Sequence, residues 1–235
     1  MPTAVPVELV VFDLDDTLLD HRGSVQRALT AWLPTLGLQP GPAASAAWFA
    51  AEERHFARWR AGEVTFAEQR RARLREILPA EVLPPLDEDV DLLFADYAVH
   101  YEAAWRLFPD ALPCLRRLHS AGTPVAVLTN GLVDQQGRKV VATGLTDLVG
   151  PVFTAEGIGA AKPHPEAFAA VSTTLAVEPA RTVYVGDSYT VDYVGARAAG
   201  WQAILLDRLG TAPSTVDPIA SLDELHDRLL ARAAR

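Results

Sequence analysis

Val10-Val11-Phe12-Asp13-Leu14-Asp15-Asp16-Thr17-Leu18 is the stretch on which the fold turns. A short β-branched and aromatic run, starting at Glu8, ends abruptly in carboxylates. That is how a strand buried on both faces of a parallel sheet reads at its carboxyl end. Side chains two residues apart on extended backbone face the same way, so Asp13 and Asp15 can share one side. Two carboxylates held close repel unless a cation or a proton compensates. A divalent metal on Asp13 and a raised pKa on Asp15 are therefore linked expectations, one group acting as nucleophile and the other as acid/base. Taken alone, an Asp-x-Asp pair is more often an acidic turn after a strand.

Working outward, similar runs recur at 124–128, 182–185 and 203–206, with a weaker one at 151–153, and helical patterns separate them. The alternation predicts an α/β fold, a doubly wound parallel sheet whose ligands bind beyond the carboxyl ends of the strands. Polar residues follow three of these runs: Asp13 and Asp15, then Thr129 and Asn130, then Asp187. Between them, residues 20–107 show no strand. Their helical patterns are interrupted by Pro34, Pro40, Pro42, Pro79, Pro84 and Pro85. The chain thus divides into a core of 1–19 and 108–235 and an inserted helical domain of 20–107. Thr65 and Glu68 have capping-box spacing at the start of a helix over 65–78. Further helices are expected at 89–105, at 110–121 before Gly122, and at 221–230, where Leu222, Leu225 and Leu229 fall on one face.

The composition excludes several classes. With 49% hydrophobic and 22% charged residues, the 235-residue chain is neither disordered nor fibrous. Thirty acidic against twenty-one basic side chains give a net charge of -9, which disfavours broad attraction to nucleic acid or anionic lipid. Cys114 is the single cysteine, as expected of a reducing compartment. The first residues, 1–6, lack the basic and apolar regions of a signal peptide, and the run at 9–12 is too short to span a bilayer. A soluble cytoplasmic protein, without a nucleic-acid or membrane partner, is the expectation.

Three more segments carry chemistry. Val125-Ala126-Val127-Leu128-Thr129-Asn130-Gly131 ends a strand in a hydroxyl and backbone N–H groups before a helix, an arrangement suited to an anion. Ala161-Lys162-Pro163-His164-Pro165 places a lysine ahead of a helix, with Pro163 biasing it away from helical geometry and Pro165 near the helix start. Val183-Tyr184-Val185-Gly186-Asp187-Ser188-Tyr189-Thr190-Val191-Asp192 sets two carboxylates five residues apart after a buried strand. Each has an ordinary reading: helix caps for Thr129, Asn130 and Asp192, and a solvated lysine for Lys162.

Together, the four segments resemble the motifs of the haloacid dehalogenase superfamily, in the phosphatase branch with a helical cap inserted between the first and second motifs. The resemblance implies a magnesium-dependent phosphohydrolase acting on a small phosphorylated metabolite. By it, Asp13 is the nucleophile that becomes an aspartyl-phosphate, Asp15 the acid/base and Lys162 the cation. Thr129, Asn130 and Lys162 would bind phosphate. Mg2+ would sit on Asp13, Asp187 and the backbone carbonyl of Asp15, with Thr17 and Asp192 in support. Oxygen ligands without clustered Cys or His favour magnesium over zinc. His164, at the motif's variable position, is given no catalytic role. A phosphomutase on the same scaffold and a non-catalytic phospholigand-binding regulator are the alternatives. A 2-haloacid dehalogenase is disfavoured, because that branch does not need the acid that Asp15 supplies. Seven arginines against two acidic residues between positions 54 and 75 make Arg60, Arg70 and Arg71 candidates for a second charged group of a substrate, the ordinary reading being a solvated helix face.

Overall fold

A computed structural model describes residues 7–233 of the chain. Residues 1–6, with the expectation about the amino terminus, and residues 234–235 lie outside the described part. In chain order the elements are β1 (Leu9–Phe12), α1 (His21–Trp32), α2 (Pro42–Arg60), α3 (Phe66–Ile77), α4 (Asp87–Ala103) and α5 (Ala111–Ser120). There follow β2 (Val125–Thr129), α6 (Val133–Ala142), β3 (Val152–Thr154), α7 (Ala155–Ile158) and α8 (Pro165–Leu175). β4 (Thr182–Gly186), α9 (Gly195–Ala198), β5 (Gln202–Leu205) and α10 (Leu225–Ala233) complete the chain.

The five strands are all parallel and ordered β3-β2-β1-β4-β5, the doubly wound α/β fold expected from the alternation. β1 lies at the centre, with Val10 opposite both Val125 and Val183. Its four residues are all buried, as a strand covered on both faces requires. The winding reverses between β1 and β4, so the crevice for a ligand opens at their carboxyl ends. On one face of the sheet Leu9, Val11, Ala126, Leu128 and Tyr184 pack with Phe168, Val171 and Trp201. Phe168 meets Tyr184 and Trp201 edge to face, with centroids 5.6 and 5.4 Å apart. Each large side chain so buried contributes roughly 1.5–3 kcal/mol.

His21–Trp105 makes a separate compact unit, and the chain on either side of it makes the other. Among the described residues the inserted unit has no strand. Its four helices enclose an aromatic core of Trp32, Trp48, Phe94, Tyr97 and Tyr101. Two of the six proline breaks turn out to be starts: Pro42 opens α2, and Pro34 sits at the head of a 3-10 turn, where a missing N–H costs nothing. The Thr65–Glu68 capping box is formed. Within this core a buried polar chain runs from Tyr101 to His21 Nδ1 (2.7 Å), from His21 Nε2 to Glu52 (3.1 Å), and on to Arg73.

In the sheet-bearing unit, Asp110 ties distant segments together. Its carboxylate accepts both terminal nitrogens of Arg208 (2.8 and 2.9 Å), the Ser221 hydroxyl (2.9 Å) and the Leu222 N–H (2.9 Å). Burial would raise its pKa, but the Arg208 guanidinium and these donors hold it below the usual carboxylate range. Arg208 also donates to the carbonyl of Thr17 at 3.0 Å, linking the tail to the turn after β1.

Candidate active site

Asp13 stands at the carboxyl end of β1, and its N–H donates to the carbonyl of Val185 on the neighbouring strand. The chain then folds into a tight turn: Leu18 and Leu19 N–H groups both donate to the carbonyl of Leu14, and Asp16 N–H to that of Leu19. Asp16 takes a left-handed conformation, φ 56°, which aspartate tolerates better than most side chains. The acidic turn thus carries both Asp13 and Asp15, with Asp16 shaping its backbone.

β4 delivers the second cluster. Ser188 caps a π-helical turn, Tyr189–Val194, by accepting the Val191 N–H, and this turn brings Asp192 back over the strand end. Asp192 is buried; its Oδ2 accepts the Ser188 N–H at 3.0 Å. The approach is so close that a Cβ on Gly186 would lie 2.4 Å from Asp192 Oδ2, so any side chain there would have to displace Asp192. Oxygens of Asp13, Asp187 and Asp192 all lie within 4.8 Å of one another.

Lys162, only 2% exposed, meets this cluster from the loop before α8. Its ammonium donates to Asp13 Oδ1 (2.8 Å), to Asp192 Oδ1 (2.7 Å) and to the hydroxyl of Tyr184. An ammonium has three N–H donors, and all three are engaged. Tyr184 in turn donates to the carbonyl of Leu128 at 2.7 Å. The backbone of Lys162 is clasped by Asn130, whose side-chain nitrogen donates to the Lys162 carbonyl (2.9 Å) and whose oxygen accepts the Lys162 N–H (2.8 Å). Pro165 opens α8, and His164 is an exposed residue just ahead of it.

The electrostatics follow from crowding. Burial, opposed by Lys162 and reinforced by Asp192, pushes Asp13 up to about 7. Burial of the Asp187 carboxyl, then the charges of Asp192, Asp13 and Asp16, push that group up to about 9, although the residue as a whole is exposed. Burial alone would lower the lysine, but Asp13 and Asp192 hold it above its ordinary value. One ammonium therefore faces more carboxylate charge than it balances. Carboxylate oxygens with no Cys or His among them are the hard donor set that suits a divalent cation such as magnesium.

Asp13, Lys162, Asp187 and Asp192 are brought together. Thr129 is buried at the end of β2, one residue before the Asn130 clasp. Thr17 is fully buried; its hydroxyl has no hydrogen-bond partner, whereas its carbonyl accepts from Arg208. The Asp15 carboxylate stands apart from the Asp13 cluster and meets Lys139, whose Nζ lies 2.7 and 2.6 Å from its two oxygens. Gln136 Nε2 is 3.4 Å from the same carboxylate and 3.3 Å from the Asn130 carbonyl. Sequence reasoning missed Lys139, Gln136 and Tyr184. A signal existed for the first two: positions 136, 139 and 140 form the inward stripe of α6, and two of them are polar. Tyr184 gave none, because a tyrosine in an apolar strand reads as core.

In the inserted unit, Arg60 pairs with Glu53, and Arg71 with Asp87 and Asp91. Arg70 lies over the rings of Phe66 and Phe94. All three arginines are half-buried rather than on an open solvated face, and Arg73 of the same stretch is buried.

With this geometry in place, comparison with known proteins is decisive at one level. The sequence profile of the haloacid dehalogenase-like hydrolases matches residues 7–200. The chain belongs to that family. The chain is 37% identical over 130 residues to Phosphatase MT3486 of Mycobacterium tuberculosis, covering 54% of this chain and 59% of that one. It is 30% identical over 201 residues to the ribulose-1,5-bisphosphate 5-phosphatase of Halopiger xanaduensis, covering 84% of each. The chain spans 59%, 43% and 51% of the length of the first curated relatives it matches. Among solved structures, L-2-haloacid dehalogenase from Xanthobacter autotrophicus is similar at 27% identity and a TM-score of 0.74, covering 96% of this chain and 98% of that one. No helix among the described residues is long and apolar enough to cross a membrane.

Proposed function

We propose that this hydrolase is a magnesium-dependent phosphatase that cleaves a small phosphate monoester through an aspartyl-phosphate on Asp13. The observation that carries the reading is the buried lysine on Asp13 beside carboxylates within 4.8 Å, more negative charge than Lys162 alone offsets. Asp13, Asp187 and the backbone carbonyl of Asp15 would hold the cation, with Asp192 in support. When bound, it supplies counter-charge that lets Asp13 stay ionised near a phosphate. The similarity to two phosphatases supports the reaction class, and by the family resemblance Asp15 supplies an acid that dehalogenation does not need.

In the first step an Asp13 oxygen forms a bond to phosphorus as the bond to the leaving oxygen breaks, and that oxygen takes a proton from Asp15. In the second step Asp15 removes a proton from water, the water oxygen bonds to phosphorus and the acyl-phosphate bond breaks. Asp13 and Asp15 are thereby restored. Thr129, at the end of β2, would offer its hydroxyl to the phosphate. Lys162 would reach a phosphoryl oxygen by exchanging one of its three present partners. Asn130 has its side chain committed to the Lys162 backbone and would act at the phosphate through backbone groups.

The test separates the two proton transfers. With p-nitrophenyl phosphate, whose leaving group needs no proton, Asp15→Asn should give a burst of nitrophenolate near one equivalent, then slow turnover. Mass spectrometry should find the phosphate on Asp13. Excess chelator should abolish turnover in the wild type, and added magnesium should restore it. Wild-type rates for Asp15→Asn on both this ester and an alkyl phosphate would refute the acid/base assignment. Recovery of phosphate on an organic acceptor rather than in water would mark a phosphomutase.

A further inference from the structure

Lys139 occupies a position that a lysine seldom holds. It lies inside α6 at 2% exposure, as does Gln136 one turn earlier, and both side chains converge on Asp15. Taking an ammonium out of water is unfavourable unless a close counter-charge offsets it. We propose that Lys139, steadied by Gln136, is the positioning residue for Asp15, fixing the carboxylate that exchanges protons with the leaving group and with water. The proposal rests on the phosphatase reading above and deepens it.

The need for such a residue follows from where Asp15 sits. Its side chain is 26% exposed, on a turn, two residues from Asp13. A carboxylate so placed, if turned to join the Asp13, Asp187 and Asp192 oxygens, would be lost as an acid/base. The two-pronged contact from Lys139 selects one orientation and keeps Asp15 out of that group. Gln136 reinforces the choice, because its amide nitrogen reaches both Asp15 and the Asn130 carbonyl, joining the turn after β1 to the loop after β2. The glycine at 131 makes room: a Cβ there would lie 2.4 Å from Gln136 Nε2. The site therefore has two lysines with separate charges, Lys162 on the nucleophile and Lys139 on the acid/base.

Lys139→Met tests this, with Lys139→Arg as the conservative partner. On an alkyl phosphate, kcat of Lys139→Met should fall between about tenfold and a hundredfold while KM moves less than about threefold, since a small misplacement of a reacting group costs this much. With p-nitrophenyl phosphate the burst should persist and the steady rate should drop. Lys139→Arg should recover much of the loss. Added to Asp15→Asn, the methionine should cost nothing further, because the residue through which it acts is already gone. An unchanged kcat on the alkyl phosphate, or a burst and steady rate that fall together with melting temperature and escape rescue by arginine, would overturn the proposal. A wild type that turns over no phosphate ester and never phosphorylates Asp13 would remove the phosphatase reading and this inference with it. Wild-type turnover with an indifferent Lys139→Met removes the inference alone.

Discussion

Replacing Lys162 by methionine keeps most of the side-chain volume and removes the one ammonium shared by Asp13 and Asp192. Two carboxylates, both buried, then lose their cation. Breaking a buried pair by deleting one partner typically costs about 3–5 kcal/mol. For a cooperative unit of this size, each kcal/mol shifts the melting temperature by about 2–4 °C, so a drop of roughly 6–20 °C is expected for the sheet-bearing unit. The pH dependence carries the sign. Asp13, already pushed up to about 7, should rise further once the lysine is gone. A carboxyl whose folded pKa lies above its unfolded value favours the folded state at low pH and withdraws that favour as pH climbs. The deficit of Lys162→Met should therefore be largest near pH 8 and smaller near pH 5. Scanning calorimetry of both proteins at the two pH values, in chelator, reads this directly. A melting temperature within about 2 °C of wild type at pH 8, below the change expected for even 1 kcal/mol, would refute the claim that the ammonium holds these carboxylates in the fold.

Two further outcomes follow from close contacts. Gly186→Ala should drive Asp192 from its place, since the new Cβ would meet Oδ2 at 2.4 Å, costing about 1–3 kcal/mol and at least about tenfold in p-nitrophenyl phosphate turnover; an unchanged rate would show that Asp192 is dispensable. In the inserted unit, burial of Glu52 is outweighed by Arg73 and His21, which hold its carboxyl well below the usual range. That stabilisation is present above the unfolded pKa and is lost as pH falls through the folded one. Glu52→Gln should be less stable at pH 7 yet lose less on acidification below about pH 4, and a denaturation series by circular dichroism that runs parallel to wild type would rule this out.

The strands and the carboxylates were legible in the sequence because burial on both faces and an abrupt polar end leave a local signature. β1, β2, β4 and β5 lie within a residue of the runs that announced them, and the capping box at Thr65 was readable from two side chains. What escaped were partners set by long-range geometry. Lys139 meets Asp15 across 124 positions of sequence, and Tyr184 meets Lys162 from inside a strand that reads as plain core. Asn130 illustrates the same limit: its cap-like position was visible, but its clasp on the backbone of Lys162 depends on two loops arriving together. The prolines at 34 and 42 were seen as breaks, because a helix start and a helix stop share the same residue.

The central place of β1 bears on how the protein is made. Its fully buried residues are synthesised well before the neighbours that pair with them, β2 and β4, at 125–129 and 182–186. At roughly 5–20 residues per second, about 10–35 seconds separate the completion of β1 from that of β4. During that interval an apolar strand with open edges and Asp13 at its tip waits unpaired, while the helices of the His21–Trp105 unit, whose aromatic core is its own, are completed. A strand left with open edges is a template for unwanted pairing, so the interval before β4 is the one in which this chain is most open to aggregation.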